Sequence, residues 1–474
     1  MPKETRNTAS PQSIHTQILI IGAGPAGLTA AKLLRKSGYS VLVVDENATL
    51  GGQYYRQPPE NMQGLAKSFR KNGRKLVESV RNNGAVILTS SYLFAVDDDG
   101  TSLYIFDENS NQILNIICET TIIATGSYEL VIPYLGWEQP KCITPGMASR
   151  IFGIDYANPN QSIVLGGSGP FLLSVASHLV TLGANVKAVV EYHTPYIPRP
   201  NSFQLLLYPT RLFEFFQYRW TLWRHNVKIY QNYQIQEVAQ TSNNLRSIFK
   251  SRNSNTTLEF FSDYVAISYG FIPTTEASSL LGINLNEGEI HRSAQLDAFG
   301  RTDKDNIYVI GESVNIQGWR AAVLRGKLAA VDIISRNNQS GLRARLQKLL
   351  GRVRSQYESY FALIRRAIFC EQQAFEMQLY DELLVCRCES VKYREIAKYL
   401  DQPWNLVSGL KAETRVGMGT CQGKQCSYAL GKICSNNLKR SNENENFMNS
   451  RAPLRPIPVS ALIQLRDRTA LVDH

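Results

Sequence analysis

Residues 17–46, QILIIGAGPAGLTAAKLLRKSGYSVLVVDE, leave this chain few ways to fold. An apolar run enters Gly22-x-Gly24-x-x-Gly27, a helix-period pattern follows and is closed by Gly38, and a second apolar run ends on Asp45. Strand, glycine turn, helix and strand make a βαβ unit, which places the chain among open α/β sheets. Each glycine has a mechanical task. Gly22 makes the tight turn, Gly24 keeps the backbone bare where a pyrophosphate approaches, and Gly27 lets the helix lie close to the strand. The helix N-terminus then offers free N–H groups to the phosphates. Asp45, at the tip of the second strand, stands where a carboxylate meets a ribose hydroxyl.

The plan recurs. Residues 161–191, QSIVLGGSGPFLLSVASHLVTLGANVKAVVE, again read as strand, glycine turn, helix and strand. Gly167 and Gly169 keep the first two glycine positions, Leu172 takes the third, and Glu191 ends the second strand. An acid there, with no arginine pattern for a 2′-phosphate, favours NAD over NADP if this copy holds a nicotinamide nucleotide. Between the copies, 85–123 carry several short strand-like runs with turn signals, ending in TTIIATGS with Gly126. After the second copy, 262–278 and 301–313 each hold a buried strand; the latter ends on Gly311-Glu312, and an amphipathic helix follows. The expected fold class is therefore α/β with two Rossmann-type domains. The first comprises 16–139 and 273–338, and the second, NAD-type, comprises 140–272.

At 474 residues the chain exceeds one core. No apolar run approaches a membrane span, and the N-terminus lacks the apolar stretch of a secretory signal, so 1–15 read as a disordered arm. Cysteines outside two short runs are scattered, without a disulfide framework, which predicts a reducing, cytoplasmic setting. The net charge of +11 comes with no nucleic-acid motif, so no nucleic-acid partner is expected. Part of that charge sits in 341–367, an amphipathic pattern within linker helices over 339–380. Its basic face reads first as solvated, and more sharply as a peripheral contact with the inner membrane face or an acidic partner.

Half of the eight cysteines lie in VCRCESV, at 385–391, and GMGTCQGKQC, at 417–426. Thiolates without histidine suit zinc or an iron–sulfur cluster. The single residue between Cys386 and Cys388 is awkward for zinc, which favours two to four. The glycine-rich turn around Cys421 and Cys426 keeps side chains away and frees N–H groups for cluster sulfides. Unligated thiols remain open on the residues alone. Between the pairs the pattern predicts two short helices joined by a turn. Lys411 and Arg415 read first as solvated cations, and more sharply as charges that offset the negative thiolate site, and Cys434 reads as a buried helix residue.

GAGPAGLTAA, Asp45, ATG and the RT…IYVIGE strand resemble the pyridine nucleotide-disulfide reductases over about 15–335. The resemblance implies FAD on Gly22, Gly24, Gly27 and Asp45, with Gly126 and Glu312 toward the flavin. That family usually has Asp where Glu312 stands, and the redox-active cysteine pair of its disulfide reductases is missing. GGQYYRQPP, which contains Gln53 and Arg56, together with GFIPTTE and the cysteine-bearing end narrows the likeness. They resemble the A-type (alpha) subunits of opine oxidases, the B subunit of hydrogen cyanide synthase, and proline and hydroxyproline dehydrogenase alpha subunits. That likeness extends to RAPLRPIPVSAL in a linker and tail over 437–474. The cysteine spacing resembles the [2Fe–2S] domain of bacterioferritin-associated ferredoxin, which implies Cys386, Cys388, Cys421 and Cys426 as ligands in a small helical domain at 381–436.

These resemblances imply an electron-transfer subunit containing FAD and [2Fe–2S]. Its partner would be a D-amino-acid-oxidase-like subunit, its acceptor a quinone or a carrier, and its nucleotide-binding residues would include Gln53, Gly167, Gly169 and Glu191. NAD or ATP stays open as a bound nucleotide. No catalytic residue stands out; Arg56 is the best anion contact, read first as a phosphate or surface contact. Two alternatives remain: a self-contained NAD(P)H-dependent ferredoxin-type reductase, and a non-catalytic ATP-binding subunit with structural zinc.

Overall fold

The computed structural model describes residues 12–56, 71–97, 100–154, 161–193, 209–288, 292–337, 351, 355, 377–402, 406–437, 448 and 450–463. The amphipathic pattern at 341–367 falls outside these, apart from residues 351 and 355.

The first domain opens with β1 (Gln12–Ile21), α1 (Pro25–Lys36), β2 (Val41–Val44), α2 (Lys71–Asn82), β3 (Val86–Leu88), β4 (Ser91–Val96), β5 (Ser102–Asp107) and β6 (Gln112–Ile123). β1 begins inside the segment expected to be a disordered arm, because Gln12–Thr16 pair in parallel with Leu114–Cys118 of β6. The sheet order is β3-β2-β1-β6-β5-β4. Ile20, Val43 and Ile122 are buried, as expected of parallel strands covered on both faces. Burying a side chain of that size contributes about 1.5–3 kcal/mol.

A three-residue strand, β7 (Ser127–Glu129), leads into the second domain. It comprises β8 (Cys142–Ile143), α3 (Pro145–Ile154), β9 (Ser162–Gly167), α4 (Pro170–Thr181), β10 (Asn185–Glu191), α5 (Pro209–Arg224), β11 (Lys228–Gln231), β12 (Tyr233–Gln240), β13 (Leu245–Ser251), β14 (Thr257–Ser262) and β15 (Tyr264–Ser268). The parallel sheet runs β11-β10-β9-β15-β8, and β12–β14 form a separate antiparallel meander. Leu172, Ala176 and Leu179 of α4 pack on one face, against Ile163 and Leu165. Phe249, Val238 and Leu245 of the meander pack with Val164 and Val190 of the sheet. Leu130, Ile132, Tyr134 and Trp137 belong to that same core. These residues, expected in the first domain, thus pack with the sheet of the second.

The chain returns through β16 (Phe271–Pro273), which pairs antiparallel with β7. α6 (Glu276–Leu280), the hairpin β17 (Leu285–Glu287) and β18 (Arg292–Ala294), β19 (Ile307–Val309) and α7 (Gly318–Asn337) complete the first domain. β19 joins its sheet beside β6. A Cβ at Gly326 of α7 would lie 2.3 Å from the Ala26 carbonyl oxygen, so glycine there permits the close crossing of α1 and α7.

The cysteine domain has a core of its own, built from Val385, Ile396, Leu410, Val416, Leu430 and Ile433. Its elements are β20 (Leu384–Cys386), β21 (Val391–Lys392), α8 (Tyr393–Ala397), α9 (Val407–Thr414) and α10 (Ser427–Asn437). The two short helices expected between the cysteine pairs are α8 and α9. Met377 and Leu379 pack on this core, so the domain begins before 381. The tail, including α11 (Val459–Leu462), crosses back over the first domain. The Leu454 N–H donates to the Phe94 carbonyl at 2.9 Å, and Ala461 is buried with Phe94, Tyr104 and Phe106. Among the described residues, no helix is long and apolar enough to cross a membrane.

Candidate nucleotide and cysteine sites

The first glycine turn follows the geometry its sequence dictates. Gly22 has φ +107°, and a Cβ there would lie 2.3 Å from the Ala124 carbonyl oxygen. A Cβ at Gly27 would lie 2.0 Å from the Gly22 carbonyl oxygen. At Gly24 a Cβ would meet nothing within 4 Å, so open space lies over the turn at the N-terminus of α1. That is a cradle a phosphate group would fill. Gly52 closes one side, since its Cβ would come 2.9 Å from the Gly24 Cα; Gln53, the next residue, is exposed.

Asp45 sits beside this cradle, buried, and its oxygens face the protein's own donors. Its Oδ2 accepts the Ala23 N–H at 2.6 Å, and its Oδ1 accepts the Asn47 N–H at 2.8 Å and Nδ2 at 2.9 Å. A carboxylate has about four acceptor sites, so about one remains for a ribose hydroxyl. Burial, only partly offset by these bonds, holds the carboxyl above its ordinary pKa. Arg56 extends the chain: its Nη2 donates to Asn47 Oδ1 at 3.1 Å. Asn47 is the residue the sequence reading missed here; its place two residues after the strand-end acid was the available signal.

Just past β6, the Gly126 N–H donates to Ser313 Oγ at 2.7 Å. Glu312 is half-buried, and accepts from Ser127 Oγ at 2.9 Å and from the Gly318 N–H at 3.0 Å. Burial raises its pKa as well. Tyr54 stacks on Trp319 with ring centroids 5.1 Å apart, which adds an aromatic wall that the sequence reading did not single out.

The second turn differs in detail. Gly167 has φ +124°, and a Cβ there would lie 1.8 Å from the Ser268 carbonyl oxygen. At Gly169 the space is open within 4 Å, whereas Leu172, in place of a third glycine, is buried in the core of α4. Glu191 accepts from Gln231 Nε2 at 3.2 Å. Beside it the Arg252 guanidinium lies 4.0 Å from the Tyr192 ring centroid. Burial, helped by Arg252, depresses the His193 imidazole to about 4, so it is neutral at pH 7.

The four cysteines come together from β20, the turn after it and the turn before α10. Cys386 contacts Cys426, and Cys388 contacts Cys421. The Gly417 N–H donates to Cys386 Sγ at 3.5 Å. The hydrogen bond from Cys426, with backbone N–H donors behind it, lowers the Cys386 thiol to about 6, while Cys386 and burial push Cys426 up. Among the described residues, no three of these groups converge as ligands of one metal ion would; the sulfurs meet as two pairs. Amide donors aimed at sulfur are the surroundings an iron–sulfur cluster uses. Arg415 is exposed and paired with Glu389 at 2.9 Å, and Cys434 is buried on α10. The domain is seated on the rest of the chain: Trp137 Nε1 donates to the Leu384 carbonyl at 2.7 Å, and Lys424 lies 3.7 Å from Glu276.

Residues 16–326 match the pyridine nucleotide-disulphide oxidoreductase family. The chain belongs to that family of FAD-dependent oxidoreductases. It is 27% identical to the HcnB subunit of hydrogen cyanide synthase from Pseudomonas protegens, over 94% of this chain and 96% of that protein. It is 26% identical to the A-type subunit of opine oxidase from Rhizobium meliloti, over 97% of this chain and 89% of that one. Both alignments run through the cysteine domain. Among solved structures, L-proline dehydrogenase from P. horikoshii shares the fold with a TM-score of 0.68 at 18% identity, covering 96% of this chain and 80% of that one. T. acidophilum thioredoxin reductase matches with a TM-score of 0.53 at 21% identity, covering 68% of this chain and 99% of its own. The expected family and FAD-type Rossmann architecture therefore stand.

Proposed function

We propose that this chain is the FAD- and [2Fe–2S]-containing electron-relay subunit of a multi-subunit amino acid, imino acid or opine dehydrogenase. The observation that carries the reading is the joining of two redox-capable sites in one chain. An open glycine cradle lies at Gly24, with Gly126 and Glu312 assigned to the flavin end on this reading, and a paired-cysteine domain is held on the same framework by Lys424 and Glu276. Gly22, Gly24, Gly27 and Asp45 would hold the ADP portion of FAD. Cys386, Cys388, Cys421 and Cys426 would hold the cluster. A flavin accepts electrons in pairs and a cluster passes them singly.

The names of the relatives support a hetero-oligomer, because both are subunits. Exposed aromatics support the same reading: Phe213, Phe216, Trp220 and Trp223 recur on one face of α5. Large aromatics of this kind dominate protein interfaces. We place substrate oxidation on a D-amino-acid-oxidase-like partner, with electrons leaving to a quinone or carrier, in the cytoplasm. The open space at Gly169 also supports a second reading, in which NADH binds the second domain and reduces the flavin directly.

The test is purification under anaerobic conditions with and without the partner. The proposal expects FAD, iron and sulfide on this chain, and dye-linked oxidation of an amino acid or opine only in the complex. Rapid bleaching of the flavin by NADH would favour the second reading. Zinc without sulfide, or ATP in place of FAD, would reject the relay.

A further inference from the structure

Helix α5 is apolar on two faces, and only the inner one is covered. Phe215, Tyr218 and Leu222 belong to the core of the second domain, with Ile163 and Leu173. Phe213, Phe216, Trp220 and Trp223 follow one another at steps of three, four and three residues, the spacing of a seam along one side of a helix. At about 100° per residue these four fall within an arc of about 80°, on the side away from the inner three. They are 53% to 73% exposed. A covered ring of this kind buries about 150–250 Å², so the four still offer roughly 400–650 Å², the greater part of the roughly 800 Å² per partner of a standard interface.

The rim of this stripe is positive. Arg219 flanks it on one side, and on the other stands Arg224, whose guanidinium lies 5.4 Å from the Trp220 ring centroid. The one acid of α5, Glu214, is paired with Arg320 of α7 at 3.2 Å. That pair also fixes where the stripe lies. Arg320 follows Trp319, whose ring stacks on Tyr54, and Gly318, whose N–H goes to Glu312. The Phe213 end of the stripe therefore borders the aromatic wall beside the residues assigned to the flavin end.

We propose that the outer face of α5 is the docking surface for the substrate-oxidising partner subunit, which meets it with an apolar groove rimmed by carboxylates. This rests on the relay reading and adds the place and the chemistry of the contact. A second copy of this chain would bring like charges against Arg219 and Arg224. Electrons enter the relay at the flavin end, so a surface bordering that end serves the protein that donates them, and a lipid surface there would supply none.

The experiment co-expresses the full chain with the D-amino-acid-oxidase-like subunit and measures the Kd of the purified pair. The variants are Trp220→Ala, Trp223→Ala and the double charge reversal Arg219→Glu with Arg224→Glu. All four side chains lie at the surface, so melting temperature and bound nucleotide, measured first, should match the wild type. Trp220→Ala and Trp223→Ala should each raise the Kd about 30-fold, a hot-spot loss of about 2 kcal/mol at about 1.4 kcal/mol per tenfold. The charge reversal should slow association at low salt, and added salt should then speed it, because an acidic rim is repelled until screened. A wild-type pair whose Kd the two Ala variants leave unchanged overturns the proposal, while the relay reading stands. If the wild type forms no complex with that subunit, both fail. Sedimentation of the chain alone, and flotation with vesicles of phosphatidylethanolamine and phosphatidylglycerol, test the other occupants. A dimer, or a vesicle-bound chain, that the Ala variants abolish assigns the face to a second copy or to lipid and overturns the proposal.

Discussion

The two glycine turns begin alike and diverge at their third position. In the first, Gly27 brings α1 so close that a Cβ would lie 2.0 Å from the Gly22 carbonyl oxygen. In the second, Leu172 fills that place and α4 packs through it into the core. The strand-end acids diverge too. Asp45 reaches back to the Ala23 N–H and ties the strand to the turn, whereas Glu191 meets Gln231 on the neighbouring strand. The first turn is thus braced by its own acid, as a site for a resident group should be. The second keeps its opening at Gly169, and its Ser168 N–H goes instead to the Ser268 carbonyl at 2.9 Å. The same plan serves close approach in one domain and core packing in the other.

The sharpest way to break this contrast is to exchange the packing solutions. Leu172→Ala should destabilise the second domain by about 2–5 kcal/mol, as cavities left by leucine do, with the first-domain nucleotide retained. Gly27→Ala should do the reverse. Its methyl group must displace backbone, at a cost of about 1–3 kcal/mol, and the shifted helix should no longer hold FAD. Denaturant titration with flavin absorbance separates the two outcomes. If Leu172→Ala releases the flavin and Gly27→Ala keeps it, the two turns do not have the roles assigned to them.

A smaller effect on the fold, with a clean effect on binding, is expected at the middle glycines. Gly24 has open space around its missing side chain, so Gly24→Val should fold yet lose FAD while keeping its iron. Gly169→Val should leave both FAD and iron in place. If NADH bleaches the wild-type flavin, that variant should abolish the bleaching. Flavin fluorescence after heat release and an anaerobic NADH titration read these results.

Much of this was legible in the sequence, because the features concerned are local. The glycine spacing, the strand-end acids, the two short helices α8 and α9 and the burial of Cys434 depend on neighbours a few residues away. What was not legible depends on distant surfaces. Nothing in LVIPYLGW tells that Leu130, Ile132 and Trp137 join the second core. Gln12–Thr16 mix polar and apolar residues and became a strand only because Leu114–Cys118 were free to pair with them. Asp45 was read correctly as a strand-tip acid beside the turn, but its bond to Ala23 could not be read: side-chain direction at a strand tip is set by the turn packed over it.

The smallest expected effect concerns two carboxyls shielded from water, Asp45 beside the first turn and Glu129 on β7. Asp45 and Glu129 both have pKa values raised by burial. An acid whose folded pKa exceeds its unfolded value favours the folded state when protonated. Its contribution is present below the unfolded pKa and is lost as pH rises through the folded one. The window therefore lies above the ordinary values of 3.8 for Asp45 and 4.5 for Glu129. Each unit of displacement corresponds to about 1.4 kcal/mol. Asp45→Asn cannot gain that proton, so the stability gap between wild type and variant should widen as pH falls from about 7 toward 4. Asn also turns an N–H₂ toward the Asn47 donors, so a gap of about 1–3 kcal/mol should already exist at neutral pH. Glu129→Gln should show the same sign, because Glu129 accepts the Gly146 N–H and its carboxyl is likewise raised by burial. Urea titrations across that range measure both. A gap that narrows toward acid for Asp45→Asn would mean that the hydrogen bonds from Ala23 and Asn47 outweigh burial. The brace on the first turn would then be strongest when ionised, which would sharpen its contrast with the second.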